Sequence, residues 1–330
     1  AITTGTINNF KLMDLGNASL LITHPDRGTG TISTATHNTG FGYAAFNKLT
    51  EGDFNVALGV EALSELTTGD YNTAVGTYSL GTTQTGNYNT GIGYGSLLGV
   101  ATGDGNTAMG MYALRKNTGG SGNVAIGWDA SIENLTGSLN VAIGKLALKT
   151  SQTGSQNVAI GQQALQNFTE SFNVAVGYRA MIGCTSGERN TAIGYDTMID
   201  LQTSENNTAL GWNALKLVTG GQNTAVGSNA GSAITSGVGN ICIGYGATTV
   251  TSNRNYSITM GRSVASVGDY YFTFGVDADA HRVYNNFTSN ASWTRASDER
   301  IKKDISTNTD CGLNFINDLR TVTYKFKAPS

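Results

Sequence analysis

Asn140-Val141-Ala142-Ile143-Gly144 returns seventeen residues later as Asn157-Val158-Ala159-Ile160-Gly161, and this near-identity at a fixed step decides the architecture. Working outward from it, the same phrase closes on Gly42, Gly59, Gly76, Gly93, Gly110, Gly127, Gly144, Gly161, Gly177, Gly194, Gly211, Gly227 and Gly244. Every step is 17 residues except two of 16. A fourteenth copy, Ser257 to Gly261, keeps the step after losing its Asn. Self-similarity at one period marks a solenoid, in which each turn of chain stacks on its neighbours.

Composition agrees. Glycine makes up 44 of 330 residues, charged residues only 13%, and there are two prolines. That balance excludes collagen and a disordered linker and suits tightly turned β-structure. The net charge of -3 comes with 20 scattered basic residues, so no electrostatic footprint for nucleic acid is read. No run of about 18 apolar residues offers a membrane span, and the opening at Ala1 shows no secretory leader. Cys184, Cys242 and Cys311 read as free thiols made in a reducing compartment, with Cys242 standing where other rungs have Ala.

Within a rung the pentamer N-x-A-x-G alternates with period two. Asn, Ala and Gly fall on one face, and an aliphatic pair such as Val141 and Ile143 on the other. An x-x-Ala-Leu segment follows, as at Leu146-Ala147-Leu148, and then a Thr-Gly or Ser-Gly turn, as at Thr153-Gly154. Seventeen residues are expected to hold two short strands and two turns, with no helical layer. Ala and Gly can be buried only where backbones approach closely, so their face is the inside of a narrow roll. The aliphatic face then points outward on fourteen rungs, and packing copies of the chain around an axis would cover it. The fold class expected is an all-β homotrimeric solenoid about 65 Å long at ~4.8 Å per rung.

The phrase NVAIG, followed by a small residue and a turn, resembles the head repeat of trimeric autotransporter adhesins, the YadA-like left-handed β-roll. The similarity covers about residues 34 to 262, with a longer period than that family's. Left-handed coiling is what the resemblance implies. Residues 1–33 are expected to cap the first rung or attach it to something upstream, with Phe10 to Ile22 apolar enough to cover an open edge. Residues 263–296 read as a neck or tip connector, in which Tyr270 to Gly275 forms a degenerate last rung.

The last 34 residues, 297–330, change character and become charged, with a helix expected at Cys311 to Leu319 and then a strand, giving a short α+β segment. Ser297-Asp298-Glu299-Arg300-Ile301-Lys302-Lys303-Asp304-Ile305 resembles the opening of the C-terminal intramolecular chaperone of phage tailspikes, endosialidases and tail fibres. That resemblance implies a module that assembles a trimer and then cuts itself off at Ala296-Ser297, with Ser297 as nucleophile and Lys302 as base. On spacing alone, Ser297 also suits a helix N-cap with Asp298 and Glu299 in the first turn.

The position after each repeat glycine is often aromatic. Tyr43, Tyr94, Trp128, Tyr178, Tyr195, Trp212 and Tyr245 form a column that either covers a corner of the roll or offers sugars a platform. The Asn column reads as an amide ladder. His24, His37 and His281 are isolated, so no metal and no cofactor are expected. The two resemblances together imply a viral, bacteriophage tail fibre, and the expected role is that of a structural protein of the virion that binds a host receptor. Its expected partners are two further copies of itself, other tail or baseplate proteins, and a surface glycan or protein of the host. A bacterial trimeric surface adhesin and a tailspike depolymerase acting on host polysaccharide are the alternatives.

Overall fold

A computed structural model of the chain describes residues 5–7, 10–14, 19–23, 34–277, 281–288 and 294–295. Among the described residues every regular element is a β-strand. Each rung contributes one three-residue strand, such as Val141–Ile143, which pairs in parallel with Val158–Ile160 above and Val124–Ile126 below. Identical columns therefore stack in register: Val141 on Val158, Ala142 on Ala159, Ile143 on Ile160. Fourteen such strands run from Thr39–Phe41 to Ile258–Arg262. The result is a β-solenoid of about 14 turns, as the 17-residue step predicts.

Only one strand per rung forms along most of the stack, in place of the expected two. The physical reason lies in the x-x-Ala-Leu limb. Leu146 and Leu148 both sit in the left-handed region, at φ 61° and 49°, and the same alternation recurs at Glu61 and Leu63 and at Asn213 and Leu215. Alternating backbone handedness coils the limb instead of extending it, at about 1–2 kcal/mol for each non-glycine residue. Rung-to-rung hydrogen bonds persist regardless: Leu146 N donates to Trp128 O and Leu148 N to Ala164 O, both at 3.0 Å. One extended pair does appear on this side, Thr248–Thr249 against Ala265–Ser266.

The interior is built from three kinds of column. Strand alanines such as Ala57, Ala125 and Ala142 are fully buried, as are the Ala-Leu pairs Ala62-Leu63 and Ala147-Leu148. A third buried column varies from rung to rung, from Leu49 and Leu66 through Thr83 and Ser151 to Phe168, Cys184 and Ile234. Cys242 pairs in register with Ala225 inside the roll, in the place of an alanine.

Burial pushes the thiols of Cys184 and Cys242 up to about 12. Cys311 lies outside the described residues.

The repeat glycine is required twice over. At Gly144 φ is +126°, and a Cβ would lie 2.7 Å from the carbonyl of Gly161 on the next rung. The turn glycines face a similar squeeze, since a Cβ on Gly137 would meet Gly154 O at 2.2 Å.

Asparagine does the rest of the stapling. Asn72 donates its backbone N–H to Asn55 Oδ1 at 2.8 Å and its Nδ2 to Gly86 O at 2.8 Å, while its own Oδ1 accepts from Asn89 N at 3.0 Å. Each buried amide thus satisfies a strand end and a turn carbonyl at once. The ladder runs to Asn240, and the fourteenth copy closes it with a hydroxyl: Ser257 Oγ donates to Asn240 Oδ1 at 2.7 Å.

The first 16-residue step loses its residue in the Thr-Gly turn. There Asn157 Nδ2 donates to Glu170 O at 2.8 Å, as Asn140 does to Gly154 O, and the register Val158 to Val174 is kept.

Both ends of the stack are paired. Leu20–Thr23 pairs in parallel with the first rung and antiparallel with Phe10–Asp14. At the other end, Tyr271–Val276 adds a further parallel strand, matching Gly261 to Gly275, and Arg282–Asn286 pairs antiparallel onto it.

Candidate functional site

With alanine and asparagine turned inward, the outward residues fall into columns on and beside the strand. The third strand position is apolar on every rung; it is exposed at Phe41, Leu58, Met109, Ile193, Leu210, Ile243, Met260 and Phe274, by 36% at Met260 to 55% at Phe41, and half-buried on the rungs between, such as Ile126, Ile143 and Ile160. At the C-terminal end this face holds an apolar hollow of about 560 Å³, lined by Met260, Phe272, Phe274 and Val276 with Gly261 and Gly275. A stripe this long exceeds the apolar patch that a soluble monomer ordinarily shows.

The column after the repeat glycine is exposed but not continuous. Tyr94, Trp128, Tyr178, Tyr195, Trp212 and Tyr245 all stand at the surface. Tyr178 and Tyr195 stack, with centroids 5.1 Å apart. Tyr94 meets its neighbours edge-on, 5.8 Å from Tyr78 and 5.3 Å from Tyr112. Lys145 interrupts the column and places its Nζ 4.2 Å over the Trp128 ring. The structure therefore groups these residues only in part.

A second aromatic column, absent from the sequence reading, occupies the position just before each asparagine. His37, Phe54, Tyr71 and Tyr88 stack on four successive rungs with centroid spacings of 4.6, 5.0 and 5.1 Å and interplanar angles of 10°, 3° and 3°. All four residues share a left-handed backbone, with φ from 57° to 59°, so their side chains leave the roll in parallel. The signal is present in the sequence as aromatics at a 17-residue step. A parallel column of short polar residues runs beside it: Asp53 Oδ1 accepts from Thr36 N at 2.6 Å, Asp70 Oδ1 from Asp53 N at 2.7 Å, and Asp104 Oδ1 from Asn87 N at 2.7 Å.

Ala296, Ser297 and Lys302, and the expected helix at Cys311 to Leu319, lie outside the described residues. His37 ends the ring stack, and its Nδ1 sits 3.0 Å from Thr36 Oγ1. His24 is outside the described residues, and His281 faces Asp277 at 3.6 Å. Among the described residues no group of three His, Cys, Asp or Glu could hold a metal ion, and no helix is long and apolar enough to cross a membrane.

Comparison with known families finds one model, described as chaperone of endosialidase, matching residues 297–330. It covers the segment in which the Ser-Asp-Glu-Arg-Ile-Lys motif lies. No curated protein and no solved structure matches the chain.

Proposed function

We propose that the chain is the shaft and receptor-binding part of a viral, bacteriophage tail fibre, assembled as a homotrimer by a C-terminal chaperone that begins at Ser297. The carrying observation is the order of two features along one chain. An apolar outward stripe runs the length of the solenoid from Phe41 to Phe274, and a chaperone-of-endosialidase match lies beyond it at residues 297–330. The stripe needs covering, and a module of that description suits the task of bringing copies together. Three chains packed on this face would leave the flanking columns at the surface, where weak contacts to a host glycan or protein gain from being presented in triplicate.

The self-cleavage belongs to the same reading. Ser297 Oγ attacks the carbonyl carbon of Ala296 as Lys302 takes its proton, the Ala296–Ser297 peptide bond breaks to leave an ester, and water hydrolyses it. Virion location, contacts to other tail or baseplate proteins, and action at the host surface accompany that assignment.

The test is the denatured and native mass of the protein expressed from the full-length gene. A fragment beginning at Ser297, with the remainder a trimer, is expected. Ser297→Ala is expected to leave one uncut band. An uncut monomer from the wild-type gene overturns the proposal.

A further inference from the structure

The ring ladder stops abruptly at a gap of defined size. After Tyr88 the next two positions of the column are Gly105 and Gly122, and the column resumes at Leu139. Three rung steps of ~4.8 Å separate the Tyr88 and Leu139 positions by about 14 Å. Leu139 leans back over Gly122, where a Cβ would meet its Cδ2 at 2.8 Å, and Tyr256 covers Gly239 elsewhere in the column in the same way. Gly105 alone among the three is open, since a Cβ built there meets nothing within 4 Å. One rung's thickness is therefore vacant, floored by Gly105 and walled by the outer face of Tyr88 and the side chain of Leu139. Tyr88 accordingly shows 64% of its surface, against 48% for Tyr71, which has a ring on both sides.

We propose that this slot binds one hexopyranose ring of a host polysaccharide, neutral or ammonium-bearing; this rests on the tail-fibre reading and gives it a site. A vacancy as thick as one ladder ring suits a flat saturated ring, whose C–H face packs on the tyrosine as carbohydrate does on aromatic surfaces. Polar groups at the edge of the slot suit its hydroxyls. Asp104 spends Oδ1 on the N–H and Nδ2 of Asn87 at 2.7 and 3.2 Å, and among the described residues its Oδ2 receives no hydrogen bond. Ser121 accepts from Asp104 N at 3.1 Å and retains its own O–H for donation.

Charge selects within sugars. Asp104 stands beside the slot, Asp70 and Asp53 lie two and three rungs along the same column, and neither column carries a Lys or Arg between residues 36 and 122. Uronic and sialic acids are repelled, whereas neutral hexoses and amino sugars are accepted.

Gly105→Tyr tests this without threatening the fold, because Gly105 has φ +64° and Tyr71 and Tyr88 occupy the same column at 57° and 58°. The experiment is saturation-transfer NMR on the full chain with methyl glucoside, methyl galactoside, glucosamine and glucuronate. One or more of the first three is expected to receive saturation at its ring C–H protons, with glucuronate at least fivefold weaker. Gly105→Tyr is expected to weaken the bound sugar at least tenfold and Asp104→Asn to narrow the gap to glucuronate.

Signal that survives Gly105→Tyr, equal binding of glucuronate, or no binding of any sugar overturns the slot. So does inter-chain disulfide formation by Gly105→Cys, which would put a second copy there. A cut trimer without sugar signal would sink the slot and leave the fibre standing, and an uncut monomer that binds sugar would do the reverse.

Discussion

Two ladders climb this roll one residue apart in the chain, and they differ in where they are allowed to break. The amide ladder, inside, is continuous from Asn38 to Asn240 and is repeated on all thirteen rungs. The ring ladder, outside, runs for four rungs, gives way to two glycines, and returns in fragments such as Tyr256 over Tyr270. Each inner amide closes a backbone group that has no water to turn to, so losing one leaves a buried polar atom unpaired. An outer ring loses only contact area. The continuous column holds the fold, and the interrupted one is free to vary with whatever the surface has to meet.

The sharpest way to break that comparison is to cut both ladders at adjacent residues. Asn72→Ala removes the acceptor of Asn89 N and the donor to Gly86 O, both buried, and is expected to cost about 2–4 kcal/mol. Urea unfolding of the full chain measures it. Tyr71→Ala removes stacking on Phe54 and Tyr88, each about 5 Å away and solvent-exposed, and is expected to cost about 1 kcal/mol or less. Its larger effect should be on the near-ultraviolet circular dichroism of the coupled tyrosines. If Tyr71→Ala destabilises the chain as much as Asn72→Ala, the assignment of fold to the inner column and surface to the outer one fails.

The inner ladder stands out in the sequence, whereas the outer one, although its aromatics keep the 17-residue step over four rungs, does not. Asn, Ala and Gly recur because hydrogen bonding, inward packing and a φ near +130° each demand one residue type, and such demands print directly as a repeat. The position of Phe54, Tyr71 and Tyr88 accepts any side chain, as Leu139, Gln156 and Arg189 on later rungs show, so the column after the glycine stands out instead. The missing second strand has a related cause. Leucine is an ordinary strand or helix residue, and nothing in Leu146-Ala147-Leu148 announces that both leucines take left-handed backbones. That geometry comes from fitting a closed turn into 17 residues, and only the assembled stack enforces it. The candidate slot is hidden for the same reason, since Gly105 and Gly122 gain meaning only once the column between Tyr88 and Leu139 is visible.

A smaller effect sharpens the comparison from within. If the interior is as dry as its packing implies, the thiols held there should be silent, and Cys184 and Cys242 should resist iodoacetamide at a pH of about 8, just below the ordinary thiol value, until the roll unfolds. Burial holds both at about 12, against 9.0 for a free thiol. A thiol whose folded value is raised stabilises the fold fully below the unfolded value, and that stability is lost as pH rises from about 9 towards 12. Unfolding free energy should therefore fall across that window. Tyrosine ionisation contributes to the same fall, so the thiol share is read by difference from the Cys184→Ser, Cys242→Ala variant, whose residues other rungs already use at Ser151 and Ala225. The variant's curve should be the flatter of the two. Equal slopes, or alkylation of Cys184 or Cys242 in the folded chain under those conditions, would mean that water reaches the inner columns, and the contrast between a sealed inner ladder and an open outer one would lose its physical basis.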